Sequence, residues 1–283
     1  MRGAAFMPLL AAALLASSCG EEGEAMKREA GQRPASALPA EISSLAEAHV
    51  FFGHQSVGDN ILDGIAALAR EGGGKSLPIA EGEAPPSPSF RGILHARIGT
   101  NGDPQGKYRA FDALIRSGLG AWAHVALMKL CYADVNAGTD VDALFKSYVE
   151  TMERLDADFP GVAFLHTTVP IATDEGGIKG LAKRLLGRDN RRDDNRARDR
   201  FNRMLRSAYG ASGRLFDLAL LETDDADSPP DQAENGARPP SLRPDFASDE
   251  GHLNEAGKRH VAMRFVAFLA RFSGDARVGI GRP

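Results

Sequence analysis

The sequence predicts an α/β fold, in which a mostly parallel central sheet is covered by helices on both faces. Short apolar runs alternate with longer segments of helical periodicity from residue 49 to residue 272. Repeated strand–helix units of this kind build parallel sheets, because each helix carries the chain back to start the next strand. No internal repeat and no linker-like break divides residues 45–273, so one domain is expected rather than two.

The elements follow in order. Residues 49–53 form a short apolar run. Residues 57–70 place apolar side chains at 57, 61, 65 and 68, a helical spacing, and Gly72-Gly73-Gly74 ends that helix. Residues 93–98 read as a strand, followed by the turn-rich segment from Gly99 to Pro104. A helix is expected over 107–117, and 124–130 has a buried-strand pattern. Residues 141–158 are helical, with apolar positions at 141, 144, 145, 148, 149, 152 and 155. A strand at 162–166, a highly charged helix at 191–209 and a strand at 215–221 come next. A polar, proline-rich loop covers 224–246, and an amphipathic helix over 256–272 closes the domain.

Of the 283 residues, 43% are apolar and 25% charged, enough to bury a core of useful size. The net charge is −4 with no basic excess, so nucleic acid is not an expected partner. Residues 1–18 begin with Arg2, run through the apolar stretch around Pro8 to Leu15 and end in small residues. This stretch is too short to span a bilayer stably and has the layout of an export signal. Leu15-Ala16-Ser17-Ser18-Cys19 resembles a bacterial lipoprotein box, although its leucine stands four places before the cysteine rather than three. That resemblance implies lipidation at Cys19 and a membrane anchor facing the periplasm or exterior. Ala16-Ser17-Ser18 also suits ordinary signal peptidase. Residues 19–44, rich in Glu, Ala, Gly, Pro and Ser, read as a flexible tether, and 274–283 as a C-terminal tail. The second cysteine, Cys131, reads as a buried small apolar residue.

Two motifs carry the chemistry. Gly53-His54-Gln55-Ser56-Val57-Gly58 presents a serine between a strand and a helix. Ligands of open parallel sheets bind outside the carboxyl ends of the strands, and a helix N-terminus favours developing negative charge. Ser56 is therefore placed as an acyl-transfer nucleophile, or more simply as a helix cap. Ser248-Asp249-Glu250-Gly251-His252-Leu253-Asn254 stands just before the last helix. There Asp249 can hold one nitrogen of His252 while the other faces the serine, the arrangement of a triad.

These motifs resemble those of the SGNH/GDSL hydrolase superfamily. The resemblance spans residues 48–272 and implies a flavodoxin-like three-layer α/β/α domain. It implies a catalytic serine after the first strand, matched by Ser56, and an Asp-x-x-His block before the last helix, matched by Asp249 and His252. The opening block reads Gly-His-Gln-Ser rather than Gly-Asp-Ser. The superfamily's Gly-x-Asn-Asp block after its third strand is not reproduced. Ala133 stands where its oxyanion-binding asparagine belongs, and Asp134 matches its final aspartate.

A substitute donor is expected from the loop at 99–104. Gly99 can bring its N–H close to a ligand, and Asn101 offers a side-chain amide. The same stretch would form a plain Asn-Gly/Asp-Pro turn in any case. His54 and His166 are further substrate-binding candidates, although a hydrogen-bonded structural role is the simpler reading of His166; Lys107 could also line the site, solvation being the simpler reading of a lysine. The charged run at 188–200 reads as a solvated helix face with i,i+4 pairs. A metal-dependent hydrolase using His54, Asp134, His166 and His252 has no recognisable ligand spacing behind it. No cofactor and no metal are expected. The resemblance implies an exported serine esterase acting on short-chain esters, such as O-acetyl groups on carbohydrate. The alternatives are an O-acyltransferase on the same scaffold and a non-catalytic glycan-binding protein. The sequence leaves the oligomeric state open.

Overall fold

A computed structural model describes residues 37–71, 76–174, 190–223 and 239–274. The expected export signal, Cys19, most of the tether, residues 224–238 of the polar loop and nearly all of the C-terminal tail lie outside the described residues.

Six strands form one parallel sheet in the order β2-β3-β1-β4-β5-β6. They are β1 (His49–His54), β2 (Ile79–Glu81), β3 (Gly92–Arg97), β4 (Val125–Met128), β5 (Ala163–Thr167) and β6 (Leu215–Phe216). Strand alternation sorts the side chains to two faces. Val50 and Phe52 of β1 join Ile93, Val125, Leu127 and Leu165 on one side, while Phe51 joins Leu94, Ala126, Met128 and Phe164 on the other. The first face is covered by α1 (Ala37–Leu45), α2 (Ser56–Glu71) and α7 (Glu255–Ala270), with α6 (Leu218–Thr223) beside them. The second is covered by α3 (Pro104–Leu114), α4 (Val141–Asp158) and α5 (Arg191–Tyr209). The result is a three-layer α/β/α fold. Among the described residues no helix is long and apolar enough to cross a membrane.

The chain leaves β1 to build β2 and β3 on one side, then crosses to build β4 to β6 on the other. The order therefore reverses at β1, and the crevice at its carboxyl end is flanked by the loops that follow β3 and β4. Topology alone makes this the place for a ligand.

Several expectations need correction. The tether does not run to residue 44: Ile42 and Leu45 are buried in the core from α1, so the folded domain begins by residue 37. The expected strand over 215–221 is a two-residue strand followed by α6. Asp217 ends the strand, because its carboxylate accepts from the Leu220 N–H (3.2 Å) and starts a helix there. Edge strand β2, three residues long, carried no periodic signal. The expected helix at 107–117 starts earlier, at Pro104 behind the Asp103 cap, and runs into a π-helical turn (Ile115–Leu119) containing Gly118 at φ 136°. The charged α5 is not simply a solvated face. Asn195, Arg198 and Asn202 are buried and bond backbone of the loops after β4 and β5, which satisfies polar groups a buried loop would otherwise leave unpaired.

Helices α2 and α7 pack with very little space between them. A Cβ built on Gly64 would lie 2.5 Å from the Lys258 carbonyl oxygen and 2.7 Å from the Ala262 Cβ. Gly64→Ala gains helix propensity of about 1 kcal/mol. The overlap with backbone cannot be relieved by a rotamer, and overpacking of this kind costs about 1–3 kcal/mol or more. The expected result is net destabilisation in a urea melt. A melt as stable as that of the unaltered protein would mean the helices separate freely.

Candidate active site

Ser56 opens α2 directly after β1, and His252 stands two residues before the Asn254 cap of α7. Because α2 and α7 are packed neighbours, their N-terminal ends come together although 196 residues separate the two side chains. The Ser56 hydroxyl lies 2.8 Å from His252 Nε2. His252 Nδ1 lies 2.9 and 2.8 Å from the two carboxylate oxygens of Asp249. A carboxylate accepts only, so Nδ1 carries the proton and Nε2 is left to accept from the serine.

The loop carrying Asp249 and His252 is held by its own short-range bonds. Asp249 Oδ1 accepts from the N–H groups of Gly251 and His252, both at 3.0 Å. Ser248 N–H donates to the His252 carbonyl, and Ala247 and Leu253 form an isolated antiparallel bridge. Leu253 is buried, and its N–H donates to Asn60 Oδ1 of α2 at 3.0 Å. Asn254 caps α7 by accepting from the Gly257 N–H at 3.0 Å. The Leu-Asn pair after the histidine thus anchors and caps, and so fixes where the imidazole stands. Partial burial opposes charge on Asp249, but the hydrogen bonds from Gly251 and His252 outweigh it and hold its carboxyl below the usual range. The Asp249 side chain is 57% exposed and that of His252 29%.

The loop after β3 is pinned to Gln55, the residue preceding Ser56. Gln55 Nε2 donates to the carbonyls of Ile98 (2.9 Å) and Gly99 (2.8 Å). Gly99 takes φ 57°, a conformation glycine adopts without strain. Gly99 and Asn101 are both exposed at this rim, and Asn101 Oδ1 accepts from Lys107 Nζ at 2.9 Å. Tyr132 stands beside His252. Its ring stands edge-on to His252 at 6.0 Å between centroids, and Gly251 lies so close that a Cβ there would fall 2.4 Å from the Tyr132 ring. The Arg198 guanidinium lies over that ring, 5.6 Å from its centroid.

The structure brings Ser56, Asp249 and His252 together, places Gly99 and the exposed Asn101 in the loop that Gln55 bonds, and leaves two candidates out. His54 shares the parity of Phe52 and turns beneath α2, fully buried. Its Nδ1 is 3.0 Å from the Gln55 carbonyl and its Nε2 3.0 Å from His95 Nδ1. His166 shares the parity of Phe164 and turns toward α4 and α5. There its Nδ1 is 2.8 Å from the Tyr148 hydroxyl and its ring stacks on Tyr209 at 3.5 Å. Burial holds both imidazoles neutral, with pKa values lowered to about 3. Lys107, expected in solvent, is fully buried. Cys131 is buried, as its size suggested. Among the described residues, no three His, Cys, Asp or Glu side chains come together to hold a metal ion.

Gln55, Tyr132 and the burial of Lys107 were missed in the sequence. For Lys107 a signal existed: it stands four and eight residues before Phe111 and Ile115, on the stripe that faces the core.

No family model and no curated protein matches the chain. Solved structures do. One from Streptococcus pneumonia, described as a "putative platelet activating factor", is 12% identical with a TM-score of 0.44, and the match covers 89% of this chain and 100% of that one. A "putative lipolytic protein of G-D-S-L family" from Desulfitobacterium hafniense is 9% identical with a TM-score of 0.45, covering 79% and 98%. A "putative SGNH hydrolase" from Slackia heliotrinireducens is 15% identical with a TM-score of 0.42, covering 80% and 97%. The last two descriptions name the superfamily that the Ser56 and Asp249/His252 motifs resemble.

Proposed function

We propose that this chain is a serine hydrolase that cleaves ester bonds through an acyl-enzyme on Ser56. The observation that supports this is the unbroken hydrogen-bonded line from Asp249 through His252 to Ser56. In this reading His252 takes the serine proton as Ser56 Oγ attacks the ester carbonyl, and returns it to the departing alcohol. Asp249 holds the imidazole tautomer and stabilises the imidazolium. The Ser56 N–H, in the first turn of α2 where no intrahelical acceptor exists, and the Asn101 amide bind the oxyanion. Water then releases the acyl group by the same steps in reverse. A sugar hydroxyl in place of that water would make the protein an O-acyltransferase.

The site is open, rimmed by exposed Asp249, Gly99 and Asn101 with half-buried Tyr132 beside them. Such a site suits a small acyl group carried on a larger hydroxylated molecule, and O-acetylated carbohydrate is the substrate class we propose. Export and a lipid on Cys19 would set the enzyme on a bacterial membrane surface.

The test is to treat the full chain with a fluorophosphonate probe and with p-nitrophenyl acetate. A single covalent adduct on Ser56, found by peptide mass spectrometry, and turnover lost in Ser56→Ala are expected. Binding of acetylated glycan without labelling or turnover would instead mark a non-catalytic glycan-binding protein.

A further inference from the structure

We infer that Lys107 is a positioning residue that sets which end of the Asn101 amide faces the reacting ester; this rests on the serine-hydrolase reading above. Lys107 comes from the first turns of α3 and is 0% exposed. Its ammonium lies 2.5 Å from Asp134 Oδ2 and 2.9 Å from Asn101 Oδ1. Asp134 lies in the loop after β4 and is also buried. Its carboxylate accepts two further hydrogen bonds, from Gly102 N–H (2.8 Å) and Cys131 N–H (2.6 Å). One buried ion pair therefore ties together the loops after β3 and β4, the two that flank the β1 crevice.

The chemistry of the pair decides the orientation of the amide. An ammonium group only donates, so the atom Asn101 turns inward must be its oxygen. The NH2 group is then turned outward, at an exposed position two residues beyond the Gly99 carbonyl that Gln55 holds beside the nucleophile. The opposite flip would present an oxygen to a developing oxyanion and repel it. A hydroxyl or a second amide at position 107 would accept either flip, and an apolar side chain would select neither. Burying two charges costs several kcal/mol per ion before their attraction is counted, and apolar side chains of similar volume often replace such pairs without loss of stability. The pair is thus a poor device for stability alone, whereas fixing a donor in advance of the reaction is where electrostatic stabilisation of a transition state comes from.

The test is a double-mutant cycle on p-nitrophenyl acetate turnover, with melting temperatures recorded for every variant. Asn101→Ala is expected to lower kcat by about 10²–10³-fold, the usual effect of losing one oxyanion donor. Lys107→Met is expected to lower kcat to within about tenfold of the Asn101→Ala level, with KM little changed. In the Asn101→Ala background, Lys107→Met should then cost less than about threefold, because its effect passes through an amide already gone. An equal loss in both backgrounds would mean Lys107 supports the fold and nothing more, and would overturn the inference. Asn101→Asp decides the matter should Lys107→Met not fold. It keeps an acceptor for Lys107 but replaces the outward donor by an acceptor, so kcat should fall at least as far as in Asn101→Ala with the melting temperature held. Unchanged turnover in Asn101→Asp would overturn the inference while leaving the serine reading intact. Absence of any Ser56-dependent turnover in the unaltered protein would overturn both.

Discussion

His252→Ala is expected to lower p-nitrophenyl acetate turnover by about 10⁴–10⁶-fold, as far as Ser56→Ala does, and combining the two should cost almost nothing more. In the proposed mechanism the serine and the imidazole act as one unit: without the base at 2.8 Å, the Ser56 hydroxyl would keep its proton and be a weak nucleophile. Asp249→Asn should be milder. An orienting aspartate buried from solvent is worth about 10⁴-fold, but Asp249 is 57% exposed, and water can take over part of its work on Nδ1. A loss of about 10²–10³-fold is expected, with asparagine retaining the Oδ1 bonds that shape the loop. Initial rates over a range of substrate concentrations give kcat and KM for each variant. Losses that multiply in the double variant would mean that Ser56 and His252 do not form the unit described, and an Asp249→Asn enzyme as impaired as His252→Ala would mean that water does not take over any of the carboxylate's work.

What the sequence made legible, and what it hid, divides along physical lines. Helix α4 was read to the residue because its apolar positions repeat with the helical period, and in the structure Asp140 caps it. The parallel sheet covered by helices was read from apolar runs alternating with helical segments, and the triad was expected from short motifs whose residues are chemically committed. His54 does not reach the site, and His166 takes the hydrogen-bonded role rather than the pocket role, for one reason: both stand at strand ends, where proximity to the crevice suggests a role, but side-chain parity turns each toward a helix layer. Lys107 was misjudged because lysine is rarely buried. Its partner Asp134 lies 27 residues away on another loop, so the pairing that makes burial tolerable is a tertiary fact. The same holds for Gly64, whose meaning depends on a helix nearly 200 residues further on. Strand β2 is too short to show a period at all.

The combined contribution of three buried groups outside the triad, His54, His166 and Glu222, should be greatest near pH 6.5 and fall on both sides. His54 and His166 are held neutral in the fold, with pKa values lowered from 6.5 to about 3 by burial. The unfolded chain binds their protons first, so the stability they contribute is present above pH 6.5 and is lost as pH falls toward 3. Each group acts at about 1.4 kcal/mol per pH unit. Glu222 works in the opposite sense. Its buried carboxyl accepts from the Ile171 N–H at 2.9 Å, and burial raises its pKa from 4.5 to about 8. Its contribution is present below pH 4.5 and is lost as pH rises through 8. Between 4.5 and 6.5 the two imidazoles outweigh the one carboxyl, so stability still rises with pH. Between 6.5 and 8 Glu222 alone among the three responds, and its contribution falls as pH rises. Glu222→Gln keeps an acceptor for the Ile171 N–H and never ionises. In urea melts across pH 4 to 9 that variant should lose the alkaline decline and keep the acid one. An alkaline decline that persists in Glu222→Gln would place its origin elsewhere in the protein.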